Sequence, residues 1–257
     1  MTKPIIHTAI TLEELLELPY NTVKDALLTG EITEELGLMR FGSNYTFLVE
    51  LHTQDTRFLA VYKPRMGERP LWDFGDGTLC QREVAACVLS EALGWYLVPP
   101  TTLTEGSERG VGSLQVFIEH DPERHYFTFD ETHIPQLKKL ALFDVIANNA
   151  DRKGGHCILD SLDRIWGIDQ GLCFNHAPKL RTVIWDFVAQ PIDEEHLTTL
   201  GTLCDQLETP LHATAQALSE LLDPTEMTAL KRRIDKLLRV KHYPSPGAGA
   251  ARPWPPV

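Results

Sequence analysis

Three charged residues stand where charge is costly unless it is used. Lys63 closes the apolar run Phe58-Leu59-Ala60-Val61-Tyr62 and precedes Pro64, which biases the lysine toward extended backbone and assigns it to a strand end. Alternation puts Leu59, Val61 and Lys63 on one face, so the ammonium points toward the interior or a cleft and needs an anionic partner. Glu83, early in the helical stretch Gln81-Arg82-Glu83-Val84-Ala85-Ala86, has the right charge. Asp151 lies in the polar loop Asn148-Asn149-Ala150-Asp151-Arg152-Lys153-Gly154-Gly155-His156, directly after an apolar helix, where rigid scaffolds present reactive groups. Asp169 ends an apolar strand in Ile168-Asp169-Gln170-Gly171, with Gly171 available for a sharp turn. A hairpin that returns two carboxylates to one place suits Mg²⁺, which takes few carboxylates and leaves its other positions to phosphate and water. Singly, each aspartate is explained as a turn cap or a strand end. With Lys63, the set reads as a site for Mg²⁺ and phosphate.

The elements that must position these residues fall into two halves. A helix opens at Thr11-Leu12-Glu13-Glu14-Leu15-Leu16, with a Thr cap and an acidic first turn. Residues 36–40, 45–51 and 57–63 read as three strands of an antiparallel meander, and a loop rich in Gly and Pro follows over 66–79. Residues 81–93 have helical periodicity, and 98–103 and 113–118 add two strands. The polar stretch 119–131 is the expected lobe junction. Residues 134–147 form an apolar helix, 157–159 and 165–168 a short hairpin, and the chain is helical from Glu194 to Val240. Strands followed by helices predict an α+β fold with two lobes, over 1–120 and 121–243, and a disordered Pro/Gly/Ala-rich tail over 244–257.

The formal net charge of −12 disfavours nucleic acid as a partner and electrostatic adhesion to an anionic membrane. No apolar run is long enough to span a bilayer, no signal core follows the N-terminus, and the five cysteines form no CxxC pair. These features predict a cytoplasmic protein with reduced thiols and no stable membrane anchor. His156, Cys157, Cys173 and His176 are zinc-compatible in type, but their spacing matches no finger or ribbon, so the two cysteines read as buried structural thiols. Trp72-Asp73-Phe74 reads as local packing in the Gly/Pro loop, with a partner-binding tip or a flap as the alternative.

A strand-borne Lys, a helical Glu, a DRxxxx loop and an IDxG strand end follow one another in the order used by protein-kinase-like enzymes. Asp151-Arg152-Lys153-Gly154-Gly155-His156 with Ile168-Asp169-Gln170-Gly171 resembles the DRHxxN and IDFG pair of the phosphatidylinositol 3- and 4-kinase superfamily. Asn149-Ala150-Asp151-Arg152 is similar to the corresponding loop of HipA-type bacterial protein kinases. Val61-Tyr62-Lys63-Pro64, Gly67-Glu68-Arg69-Pro70-Leu71-Trp72-Asp73-Phe74 and Arg181-Thr182-Val183-Ile184-Trp185-Asp186-Phe187 resemble a bacterial phosphatidylinositol-kinase-like family over about residues 30–240.

That resemblance implies an atypical, phosphatidylinositol-kinase-like version of the protein-kinase-like fold, with ATP and Mg²⁺ as cofactors and Mn²⁺ as the alternative metal. It implies that Lys63 contacts the α/β-phosphates and is held by Glu83, that Ser43 and Asn44 in the Gly42-Ser43-Asn44 turn cover the phosphates, and that Gln115, Ile118 and Glu119 belong to a hinge whose backbone meets adenine. Asp151 would orient or deprotonate the acceptor hydroxyl, and Asp169 would bind the metal. Two positions depart from the pattern: Lys153 replaces a histidine of the lipid kinases, and His156 replaces their metal-binding asparagine. Lys153 is then expected to stabilise the transferring phosphoryl group, and His156 to join the metal site. The first reading is a kinase acting on a protein hydroxyl or a small polar molecule. The second is a pseudokinase that binds nucleotide without turnover. An inositol lipid ranks lower as acceptor, because His176, Lys179 and Arg181 are the only basic groups after Gly171 in that segment.

Overall fold

In the first third of the chain, alternation decides the structure. The computed structural model describes residues 8–9, 14, 18–39, 44–53, 56–105, 108–247 and 249–257. Apart from Glu14, the helix expected over residues 11–16 lies outside the described residues, as does Ser43. Strand β1 (Thr8–Ala9) pairs in parallel with β4 (Thr56–Pro64), and helix α1 (Tyr20–Thr29) buries Val23 and Leu27. Strand β2 (Glu31–Met39) pairs antiparallel with β3 (Thr46–His52), which pairs antiparallel with β4. β3 buries Phe47, Val49 and Leu51, and β4 buries Phe58, Ala60 and Tyr62, which is the period-two pattern of a sheet with one covered face. Strands β5 (Thr101–Thr104) and β6 (Gly112–Val116) complete the order β2-β3-β4-β6-β5. β2 starts at Glu31, five residues before its expected start at Leu36. Its glutamates sit on an exposed edge strand, where charge discourages pairing with other chains and erases the apolar alternation.

The helix α2 (Leu79–Ala92) begins where Glu68 accepts hydrogen bonds from the Leu79 and Cys80 N–H groups, at 3.0 and 2.8 Å. A carboxylate there satisfies two of the helix's unpaired donors and complements its dipole. The chain divides into two compact units, residues 1–80 with 99–119 and residues 81–98 with 120–257. The division therefore differs from a single cut near residue 120: most of α2 groups with the second unit. Its anchor there is Arg82, which donates to Glu226 at 2.5 Å and to the Cys173 carbonyl at 2.7 Å, all within the buried interior.

The second unit holds α3 (Ile134–Ala147), the hairpin of β7 (Cys157–Leu159) and β8 (Ile165–Gly167), and the helices α4 (Glu194–Glu208), α5 (Ala213–Leu221) and α6 (Pro224–Val240). α3 buries eight residues around much of its circumference, as a core helix must. Asp223 caps α6 and Glu226 returns the bond to the Asp223 N–H, a reciprocal capping box. The tail expected to be disordered is instead docked on this unit: Ala251 and Pro256 accept backbone hydrogen bonds from Thr182 and Gly154, and Pro253 is buried. Trp72 also departs from its expected packing, being 94% exposed while Phe74 is buried. None of the five cysteines is in a disulfide. Among the described residues, no helix is long and apolar enough to cross a membrane.

Candidate functional site

The loop that carries Asp151 is built from the end of α3 outward. Asn148 ends the helix in the left-handed conformation, at φ 53°, which asparagine tolerates better than most residues. Its side chain donates to the carbonyls of Asn175 and Ala177 and so ties the loop to a distant segment. Asn149 accepts from the Asp151 N–H at 2.9 Å, an Asx turn that aims the next residues. Backbone bonds from Ala150 to Leu172, from Arg152 to Arg181 and from Arg181 to Asn149 then stitch the loop to both later strands of chain.

Arg152 is the hub of this construction. It is fully buried, and its Nε donates to both oxygens of buried Asp144 at 3.0 and 3.2 Å. Its two terminal nitrogens donate to the carbonyls of His156 and Ile168, at 3.1 and 2.9 Å, and to Gln170 Oε1 at 3.1 Å. Thr182 adds a bond to Asp144, and Glu83 accepts from the Gln170 N–H at 2.9 Å. Gly167 leaves room for the guanidinium: a Cβ at that position would meet Arg152 Nη2 and Gln170 Nε2 at 3.2 Å. One side chain thereby fixes the end of α3, the loop and the strand end that bears Asp169. Sequence reasoning missed Asp144 and Gln170 and gave Arg152 no structural role. The available signal was an arginine and an aspartate eight residues apart, the aspartate inside the apolar run from Leu140 to Ala147.

Asp151, Lys153, His156 and Asp169 come together around that hub. Lys153 Nζ lies 3.3 Å from Asp151 Oδ2, and each side chain is about a quarter exposed. Arg152, next in sequence to Asp151, instead pairs with Asp144. Burial pushes the Asp151 carboxyl up from its ordinary range, Lys153 opposes that shift, and the nearby Asp169 charge reinforces it. His156 Nδ1 donates to the Asp151 carbonyl at 3.0 Å, which fixes the ring, and its Nε2 faces Asp169 Oδ2 at 3.4 Å. Asp169, not Gly171, takes the turn expected at this strand end: its φ is 58°, a strained value for a residue with a side chain. Burial pushes the Cys157 thiol up to about 12, and that of Cys173 higher still, so both are inert structural thiols as expected.

The candidate nucleotide residues of the first unit have their own settings. Lys63 sits on the half-buried face of β4 with Leu59 and Val61, while Phe58, Ala60 and Tyr62 fill the covered face. The lysine is therefore on the opposite face from the strand's core contacts, where its charge costs less. Asn44 accepts from the Arg69 N–H at 2.9 Å through its side-chain oxygen. Gln115 lies inside β6, paired with both β4 and β5, and its buried side chain donates to Thr101 at 2.8 Å. The N–H groups of Val116 and Phe117 are spent on Pro100 and Leu59. Of the other residues expected to meet adenine, Ile118 and Glu119 are the last two of the first unit.

Among the described residues, no group of three or more His, Cys, Asp or Glu is gathered to hold a metal ion. The donor pair that does occur, Asp169 Oδ2 and His156 Nε2, is spaced so that an ion about 2.1 Å from each could bridge them. Such a pair fits a metal that arrives with phosphate oxygens and water as its remaining ligands.

No family model matches the chain. Its α+β architecture is the protein-kinase-like one: a structure of hydra Fam20 with sugar superposes at a TM-score of 0.52, with 16% identity, over 91% of this chain and 89% of that one. In sequence, it is 28% identical over 151 residues to a phosphatidylinositol 4-kinase gamma 4 of Oryza sativa subsp. japonica, a match that spans half of this chain and 26% of that protein. It is 38% identical over 264 aligned positions to Protein Rv2133c of Mycobacterium tuberculosis, covering 89% of this chain and 93% of the relative. At that identity and coverage, the chain belongs to the family of Protein Rv2133c.

Proposed function

We propose that this protein is an ATP-dependent phosphotransferase that uses a divalent metal to pass a phosphoryl group to a hydroxyl acceptor. The observation that carries the reading is the convergence of Asp151 and Asp169, one beside Lys153 and the other facing His156, on a loop and a strand end held by Arg152. Phosphoryl transfer asks a protein mainly for positioning and charge neutralisation. Asp151 orients the acceptor hydroxyl and takes its proton; its raised pKa, from burial and from Asp169, makes it a better base than an exposed aspartate. Lys153 neutralises charge on the transferring group, and Lys63 binds the nucleotide phosphates. A divalent metal, when bound, screens the phosphate charge; Asp169 and His156 are the residues that would hold it. The cytoplasm is the proposed compartment, supported by the absence of any disulfide among five cysteines.

The test is nucleotide-dependent thermal stabilisation with and without metal, since a ligand that binds only the native state raises its stability by mass action. Asp169→Asn is expected to keep the fold and to lose the metal-dependent part of the stabilisation. Lys63→Met is expected to lose most of the ATP-dependent part. A metal titration of Asp169→Asn that matches wild type would remove the metal assignment, and nucleotide binding without any phosphoryl transfer would leave a pseudokinase.

His156 adds a metal preference. Imidazole nitrogen suits Mn²⁺ better than Mg²⁺, which favours oxygen. Wild-type protein is therefore expected to bind ATP more tightly with Mn²⁺ than with Mg²⁺, and His156→Asn to narrow that ratio by about an order of magnitude. Calorimetric titration of ATP with each metal reads the ratio directly. An unchanged ratio would take His156 out of the coordination sphere.

A further inference from the structure

The last residues of the chain lie on the loop that carries Asp151. Pro256 accepts from the Gly154 N–H at 2.7 Å, and Gly154 sits between Lys153 and His156. At the other end of the segment, Ala251 accepts from the Thr182 N–H and from Trp185 Nε1, both at 3.1 Å. Between these anchors Pro253 is buried, while Trp254 is exposed. A Cβ added at Gly154 would lie 2.7 Å from the Phe127 ring, so a glycine lets that ring pack against the loop, and the Pro256 carbonyl would stand at ordinary contact distance, 3.4 Å.

Three features of this contact describe a peptide-binding track. The hydrogen bonds are accepted by backbone carbonyls, so they read the main chain and not a particular side-chain sequence. The docked stretch Ala251-Arg252-Pro253-Trp254-Pro255-Pro256 is stiffened by prolines, which lowers the entropy lost on docking. Both anchors, finally, fall on the segments that hold the candidate chemistry, because Thr182 also bonds the Asp144 carboxylate that fixes Arg152. The docked residues contain no hydroxyl: Ser245 is the last Ser, Thr or Tyr in the sequence, six residues before Ala251. A chain in this position is held against the loop yet has nothing to which a phosphoryl group could pass.

We propose that residues 249–257 are a tethered pseudosubstrate, and that the track they cover receives a polypeptide as the phosphate acceptor. The inference rests on the phosphotransferase reading of Asp151 and goes beyond it by naming the acceptor class and a means of regulation. Tethering gives the segment an effective concentration of roughly 1 mM, so an intrinsic Kd near 0.1 mM keeps the track about nine-tenths occupied. Release of the segment should then raise polypeptide phosphorylation about tenfold.

The experiment compares the full chain, a chain ending at residue 248, and full-length Pro253→Asp, which retains every other residue but places a carboxylate at a buried position. A fluorescein-labelled peptide of residues 249–257 is titrated into each. The shortened chain and Pro253→Asp should bind it with a Kd on the order of 0.1 mM, and the full chain about tenfold more weakly. In parallel, dephosphorylated casein and myo-inositol serve as acceptors with Mn²⁺ and ATP. Both variants should phosphorylate casein about tenfold faster than wild type, and added peptide should reverse the gain. Equal peptide binding to wild type and variants, or equal casein turnover, would overturn the pseudosubstrate, and transfer to myo-inositol but not to casein would overturn the acceptor class. If none of the three proteins shows ATP-dependent thermal stabilisation, the phosphotransferase reading fails and the pseudosubstrate role with it. The peptide titration still decides whether the track binds a peptide.

Discussion

Replacing Arg152 with methionine is expected to lower the unfolding free energy by about 3–5 kcal/mol, the cost of leaving one member of a buried ion pair without its partner. Asp144 would be stranded with full burial, and the carbonyls of His156 and Ile168 would lose their donor. Burial already pushes the Asp144 carboxyl upward against the pull of Arg152. Without the guanidinium it would fold protonated or not at all. The double variant Asp144→Leu/Arg152→Met removes both charges and is expected to recover a large part of the loss, because the desolvation of an ion pair offsets most of its attraction. Denaturant midpoints of the two single variants and the double variant, closed as a cycle, measure the coupling. A single variant that costs less than about 1 kcal/mol would mean that the pair is a surface-like contact. Metal-dependent nucleotide binding should weaken in Arg152→Met even at temperatures where the protein stays folded, since Ile168 and the residue after it are held through that side chain.

Asp151→Ala has a different signature. Its carboxylate is a quarter exposed and pairs with an equally exposed lysine, and such a pair contributes about 1 kcal/mol or less. The variant is therefore expected to fold with a nearly unchanged midpoint and to bind ATP with the wild-type Kd. Phosphoryl transfer should nevertheless fall by about 10²–10⁴-fold, the range associated with loss of a positioned general base. Single-turnover transfer from radiolabelled ATP, read beside a calorimetric ATP titration, separates the two quantities. Transfer within about threefold of wild type would remove Asp151 from the reaction. A matching loss of ATP affinity would recast it as a binding residue.

Much of this was legible along the chain. Alternation at Phe58, Ala60 and Tyr62 defines β4 and delivers Lys63 to its end; the apolar run through Ala147 defines α3 and delivers the loop with Asp151. Lys63, Asp151 and Asp169 are legible from such local patterns, because reactive side chains are placed at the ends of regular elements, whereas Lys153 and His156 stand out only against the kinase motif that the loop resembles. The exposed edge strand was legible only in part, since glutamates facing solvent leave no apolar period to follow.

What the chain order could not decide was which charges meet. Asp151 and Arg152 are adjacent, and proximity in sequence argues for their pairing. Adjacent residues in a turn project differently, however, and here one side chain turns inward to Asp144 while the other meets Lys153. That choice depends on the opening at Gly167 and on acceptors at Ile168 and Gln170, which only tertiary contact brings to residue 152. The tail shows the same division. Its composition correctly denies it a helix or a strand, yet order came from outside the segment, through the N–H groups of Gly154 and Thr182. Sequence determined the elements and the inventory of reactive groups, through short-range periodicity and backbone preference. The tertiary structure decided the partners, because a buried charge or an unpaired carbonyl is satisfied by whatever lies nearest in space.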